Sequence, residues 1–137
     1  MRKRGGTNAG AGQLDQVLAH MVGDYVAQSD WMASRKTKEH GPAAAHALAY
    51  TACLLPLTKN PKALVLIGGT HFVIDRYRLA RHVVWAKNQV APAEYRTPRT
   101  NTGYSDDTPA WMATWLLIIV DNTMHACVNR WALKRWS

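Results

Sequence analysis

Apolar residues fall into four blocks separated by polar, proline- or glycine-bearing connections, and the spacing inside the blocks is helical. Over residues 13–33, Leu14, Val17, Leu18, Met21, Val22, Tyr25 and Val26 recur every three or four positions, predicting an amphipathic helix. The block at 42–57 is almost wholly apolar apart from His46 and Thr51, and Gly41-Pro42 marks its start. A third block, 62–90, comes after the polar turn Thr58–Lys62. Its periodicity predicts one long helix, although its β-branched, glycine-containing opening (ALVLIGGTHFVID) also fits a buried strand. The last helix, 109–136, begins at the start signal Asp107-Thr108-Pro109. Residues 91–108 read as a long loop, and the basic, glycine-rich residues 1–12 as a disordered arm. The pattern therefore predicts an all-α fold, a single domain over 13–137 built as an up-down bundle of about four helices.

Two features place that bundle in a membrane. Trp111 and Trp131 bracket the last helix at a separation of ~30 Å, the thickness of a bilayer hydrocarbon core. Arg130, Lys134 and Arg135 cluster at one end, as expected at an interface. The basic half of the third block, where Tyr77 and Trp85 lie among Arg76, Arg78, Arg81 and Lys87, suits the same environment. Mean hydropathy of −0.26 pulls the other way, being low for a chain with several spans. The net charge of +8 fits basic loops beside membrane helices and also fits nucleic acid. No nucleic-acid motif accompanies it, so membrane lipid is the expected partner. MRKRGG lacks an apolar core, which predicts no cleavable signal peptide. Cys53 and Cys127, in apolar runs with no Cys-x-x-Cys, read as buried free thiols.

The polar residues inside the apolar blocks change the picture most. His20/Asp24, His71/Asp75 and Asp121/His125 are each four apart. Chance placement of the six histidines and seven aspartates gives about 0.6 such pairs. On a helix this spacing sets both side chains on one face, as in helices that clasp a zinc ion. Burying carboxylates and imidazoles in apolar surroundings is costly unless they are paired or neutralised. His20, Asp24, His46, His71, Asp75, Asp121 and His125 are therefore the candidate metal ligands. Their donor chemistry suits zinc first, with manganese or iron as alternatives. If four straight helices alternate, His20, His71 and Asp121 fall in one layer ~15–17 Å deep, His46 nearer ~7 Å and His125 nearer ~22 Å. One metal with supporting partners and a dinuclear pair both fit. Gln28 and Asn129 continue the ligand faces by one turn and read as supporting polar groups. His40 and His82 read as solvated, and Lys36, Tyr25 and Tyr77 carry no signal beyond their proximity to the motifs.

H-x2-G-D-Y-x2-Q-S-D-W at His20–Trp31, the lone His46, T-H-F-x-I-D-R at Thr70–Arg76 and D-x3-H at Asp121–His125 resemble domain of unknown function 3307. The resemblance runs from His20 to Trp131. It implies a small, helical membrane protein of bacteria and their phages, hence a location in the bacterial (host) inner membrane. The family pattern has glutamine after the last aspartate, where this chain has Asn122. The His/Asp pattern is also similar to inner-membrane proteins labelled metal-dependent hydrolases. Three functions compete. The first is a metal-dependent membrane hydrolase of a phosphoester or lipid-like substrate, with Asp24 or Asp75 as general base and Arg76, Arg78 or Arg81 holding the anion. The second is a non-enzymatic phage or bacterial accessory protein stapled by its metal, with self-association kept open. The third, a soluble phosphohydrolase of the HD type, lacks the adjacent His-Asp pair that fold expects.

Overall fold

A computed structural model describes residues 8–136, and every regular element in it is a helix: α1 (Asn8–Met21), α2 (Asp30–Arg35), α3 (His40–Cys53), α4 (Pro61–Arg76), α5 (Leu79–Gln89) and α6 (Ala110–Trp136). Six helices replace the expected four because two of the predicted helices break. The first leaves α-geometry at Val22–Val26, where a single wide π-turn continues from α1 and closes with Ala27 N–H on Val22 O at 2.8 Å. Ser29 then caps a new helix, its Oγ accepting from Met32 N–H at 3.4 Å. The third breaks at Tyr77–Arg78, where Arg78 takes a left-handed conformation (φ 52°, ψ 48°). Its guanidinium holds that turn by donating to the side chain and carbonyl of Asn101. The strand alternative for residues 63–75 is excluded, because that stretch is helical throughout. Asn60 caps α4 through Lys62 N–H, with Pro61 in the first turn.

Helix α1 begins at Asn8, earlier than expected, and the rest of the predicted basic arm lies outside the described residues. The long loop carries one short 3₁₀ turn, Ala93–Tyr95, and lies against α5. Asn88 donates to Gly103 O, Gln89 to Thr97 O, and Arg99 stacks over Trp85. Gly103 takes φ 84°, and a side chain there would collide with the Arg81 carbonyl.

Helix α3 packs on α4, and α4 and α5 pack on α6. The apolar core joins Tyr50, Leu54, Ala63, Ile67 and Ala132, with small residues allowing close helix approach. Helix α1 is turned inside out. Gln16, His20 and Asp24 are buried, while Leu14, Val17 and Leu18 are exposed (Leu14 by 70%). Among the described residues, no helix is long and apolar enough to cross a membrane. This corrects the expectation of a membrane-embedded bundle. The strongly apolar core of α6 is confined to Leu116–Val120, and Asp121, Asn122, His125 and Asn129 interrupt the remainder of the helix. Cys127 is exposed and Cys53 only partly buried; both are free.

Candidate metal centre

The helices bring one residue type after another to a single point between α1, α3, α4 and α6. The π-turn delivers Asp24 from beside α1, and Gly23 lets that turn close onto Tyr50. A Cβ on Gly23 would lie 2.5 Å from Tyr50 Cδ2. His46 comes from the middle of α3, His71 and Asp75 from successive turns of α4, and Asp121 and His125 from α6. All but Asp121 are buried, and its side chain is 28% exposed.

Four ligand atoms form two triangles that share the His46–His71 edge. His46 Nε2 and His71 Nε2 are 3.0 Å apart. Asp24 Oδ1 lies 3.4 and 3.3 Å from them, and Asp75 Oδ2 lies 3.2 Å from each. Ligand bonds of ~2.0–2.1 Å set neighbouring donor atoms about 2.9–3.4 Å apart, from octahedral to tetrahedral angles. The remaining carboxylate oxygens face other imidazoles. Asp24 Oδ2 is 3.5 Å from His20 Nε2, Asp75 Oδ1 is 3.2 Å from His125 Nε2, and Asp121 Oδ2 is 3.4 Å from the same nitrogen. Ligand atoms of Asp24, His46 and His71 lie within 4.8 Å of one another, as do those of His71, Asp75 and His125. These buried groups can hold a metal ion. The donor set fits: Asp24 Oδ1 is buried with no hydrogen-bond partner, an expensive arrangement that a cation relieves.

Protonation is set by the same contacts. Burial pushes the Asp75 carboxyl up, but hydrogen bonds with His125, His46 and His71 and the Lys36 charge hold it well below the usual range. Asp24 behaves likewise: burial raises it, and His46, His71, His20 and His125 bring it below its ordinary value. Burial lowers His20 and His71, with their carboxylate partners only partly offsetting it. For His46 the order reverses; Asp24 and Asp75 overcome burial and raise it. His125 is also depressed by burial, yet Asp121 and Asp75 carry it up to about 9.

Residues that carried no sequence signal complete the centre. Lys36 Nζ donates to Asp75 Oδ2 at 2.8 Å and sits 3.2 Å from His46 Nε2. Tyr50 is fully buried, its ring stacked on His71 and its hydroxyl 2.6 Å from His20 Nδ1. Asn129 donates to that hydroxyl. Asn122 Oδ1 lies 3.2 Å from His20 Nε2. Gln28 follows the π-turn, and its Oε1 is buried without a hydrogen-bond partner. Tyr50 stands four residues after His46, the spacing of the three pairs, and that signal could have found it.

A cavity of about 210 Å³ adjoins the centre. It is lined by the carboxylates of Asp75 and Asp121, the basic Lys36, Arg78 and Arg81, and the apolar Leu117 and Ile118. Arg81 Nε is buried without a hydrogen-bond partner. Burial, then the charge of Arg81, lowers Arg78. Arg76 is directed elsewhere: it donates to Thr37 O and His40 Nδ1 and pins the turn that carries Lys36.

The family described as Protein of unknown function (DUF3307) matches residues 14–98. That span holds His20, Asp24, His46, His71 and Asp75, and stops before Asp121 and His125, short of the expected limit at Trp131. No curated protein and no solved structure matches the chain.

Proposed function

We propose that this chain, which belongs to the DUF3307 family, is a metal-dependent hydrolase of a phosphoester that carries an apolar group. The observation that carries the reading is the pair of ligand triangles on His46 and His71, with edges of 3.0–3.4 Å, beside a cationic cavity. Asp24, His46, His71 and Asp75 hold the ion, zinc first and manganese or iron as alternatives. A divalent ion there supplies Lewis acidity and a water of lowered pKa. Arg81, whose Nε is buried without a hydrogen-bond partner, holds the phosphoryl oxygens, Lys36 and Arg78 add positive charge, and Leu117 and Ile118 take the apolar group. Water oxygen bonds to phosphorus, the phosphorus–oxygen bond to the alcohol breaks, and the proton lost by water ends on the alcohol. Both oxygens of Asp24 and of Asp75 face imidazoles, so neither carboxylate is free to accept that proton on its way.

Chromogenic phosphomonoesters and phosphodiesters, offered to the full chain stripped of metal and then reloaded with zinc or manganese, test this reading. Turnover should appear only after reloading and vanish in His71→Ala. Turnover in the metal-free chain overturns it. Reloading that raises the melting temperature without any turnover favours the non-enzymatic reading, in which the ion staples the helices.

The inner-membrane location is retained as attachment to the lipid surface rather than as a span. Its support is the outward-facing Leu14, Val17 and Leu18 of α1, and exposed Trp131 beside Arg130, Lys134 and Arg135. Co-sedimentation with anionic vesicles checks it, and protein that stays in the supernatant at low salt rules it out.

A further inference from the structure

Asp24 and Asp75 each divide their two oxygens between different sets of imidazoles. Asp24 turns Oδ1 to His46 and His71 and Oδ2 to His20. Asp75 turns Oδ2 to His46 and His71 and Oδ1 to His125. Two carboxylates thus show the same division in the same sense, each reaching the His46–His71 pair with one oxygen and a further imidazole with the other. We infer that the centre is dinuclear, with Asp24 and Asp75 bridging a second divalent ion held by His20, His125 and Asp121.

The second set has its own elements and its own supports. His20 comes from α1, and Asp121 and His125 from adjacent turns of α6. His20 and His125 face each other with ring centroids 6.0 Å apart. The His20 ring is fixed from behind by the Tyr50 hydroxyl on Nδ1, which leaves Nε2 turned toward Asp24. His125 Nε2 lies 3.2 Å from Asp75 Oδ1 and 3.4 Å from Asp121 Oδ2, and His20 Nε2 lies 3.5 Å from Asp24 Oδ2 and 3.2 Å from Asn122 Oδ1, pairwise spacings that N/O ligands of an ion also show. Of the three carboxylates, Asp121 is bound to one set only and lines the cavity from its partly exposed position. Paired carboxylate-bridged ions between facing helices are a known solution for a bundle interior. In phosphoryl chemistry such a pair holds the attacking and leaving oxygens together.

This inference rests on the proposed metal-binding function, and stoichiometry separates the two. Metal-free full-length protein is titrated with manganese(II), counting bound ions by calorimetry and elemental analysis, with electron paramagnetic resonance recorded at saturation. Two ions per chain and a spin-coupled spectrum are expected. His125→Ala and Asp121→Asn should fall to one ion and give an uncoupled six-line signal. Saturation of wild type at one ion with an uncoupled spectrum overturns the dinuclear centre and leaves the first site standing. No binding at all overturns both. The wild-type measurement decides even where a variant does not fold.

Discussion

The ring of Tyr50 lies against the ring of His71, centroids 3.8 Å apart and planes inclined by 21°, so an aromatic residue of the apolar core is also a wall of the polar centre. Its hydroxyl continues into that centre at His20 and Asn129. The core and the ligand cluster are thus one packed unit.

Tyr50→Phe keeps the stack and removes the hydroxyl, leaving Asn129 and His20 Nδ1 without their buried partner. Chemical denaturation should show a loss of about 1–3 kcal/mol. Metal affinity, read by calorimetry, should weaken by about 10–100-fold through the freed His20 ring. Unchanged affinity with lowered stability would confine Tyr50 to the core.

Two glycines should respond with opposite signs. Gly23→Ala drives a methyl group into Tyr50 and should destabilise the fold by about 1–3 kcal/mol while disturbing Asp24. Gly69→Ala, inside α4 with open space around it, should stabilise by about 0.5–1 kcal/mol. Urea midpoints of both variants check the pair.

Lys36 opposes a cation and favours an anion, so its removal should separate two measurements. Near a protein surface, two unit charges at 4 Å interact by about 4 kcal/mol. Lys36→Met should therefore tighten metal binding by at least ~10-fold and raise KM for a charged phosphoester. Weaker metal binding would mean that Lys36 serves mainly to position Asp75.

His125 gives metal binding and folding opposite pH dependences. With its pKa raised to about 9, the metal-free imidazole is protonated at neutral pH, and ligation must expel that proton. Metal affinity should climb as pH rises toward 9 and flatten beyond it, with proton release visible in buffers of different ionisation enthalpy. The metal-free fold has the reverse trend. The contribution of a raised group is complete below its unfolded value, ~6.5, and is lost as pH passes through about 9. Melting curves at either end of that window, with and without zinc, check both signs.

The three His/Asp pairs were legible because i, i+4 spacing is a property of one helix and survives whatever the helices do later. His46 stood out by being alone in an apolar block. Their depths were less legible: straight helices put His46 and His125 far apart, yet both touch Asp75. The breaks at Val22–Val26 and at Arg78 reset the heights, and the second depends on contacts between Arg78 and Asn101 that form only in the folded chain. Lys36 lies in a polar connection, and its ion pair with Asp75 and the Arg76–Thr37 bond hold it inward. Arg76 itself looked like an anion ligand because sequence gives adjacency to Asp75 but not direction. The Trp111–Trp131 spacing suggested a span, whereas the residues between them serve the cluster.

The ligand side chains are distributed unevenly along the chain. The first set needs nothing beyond Asp75, whereas the second waits for Asp121 and His125 near the end. In a chain made from its N terminus, the pieces of one ion site are all present while α5, the loop and α6 are still to come. Synthesis thus imposes an order on assembly of the cluster, and α6 closes over a partly built centre. Contacts that join His20 or Asp75 to α6 span 50 to 102 residues, the kind of long-range closure that slows the last step of folding.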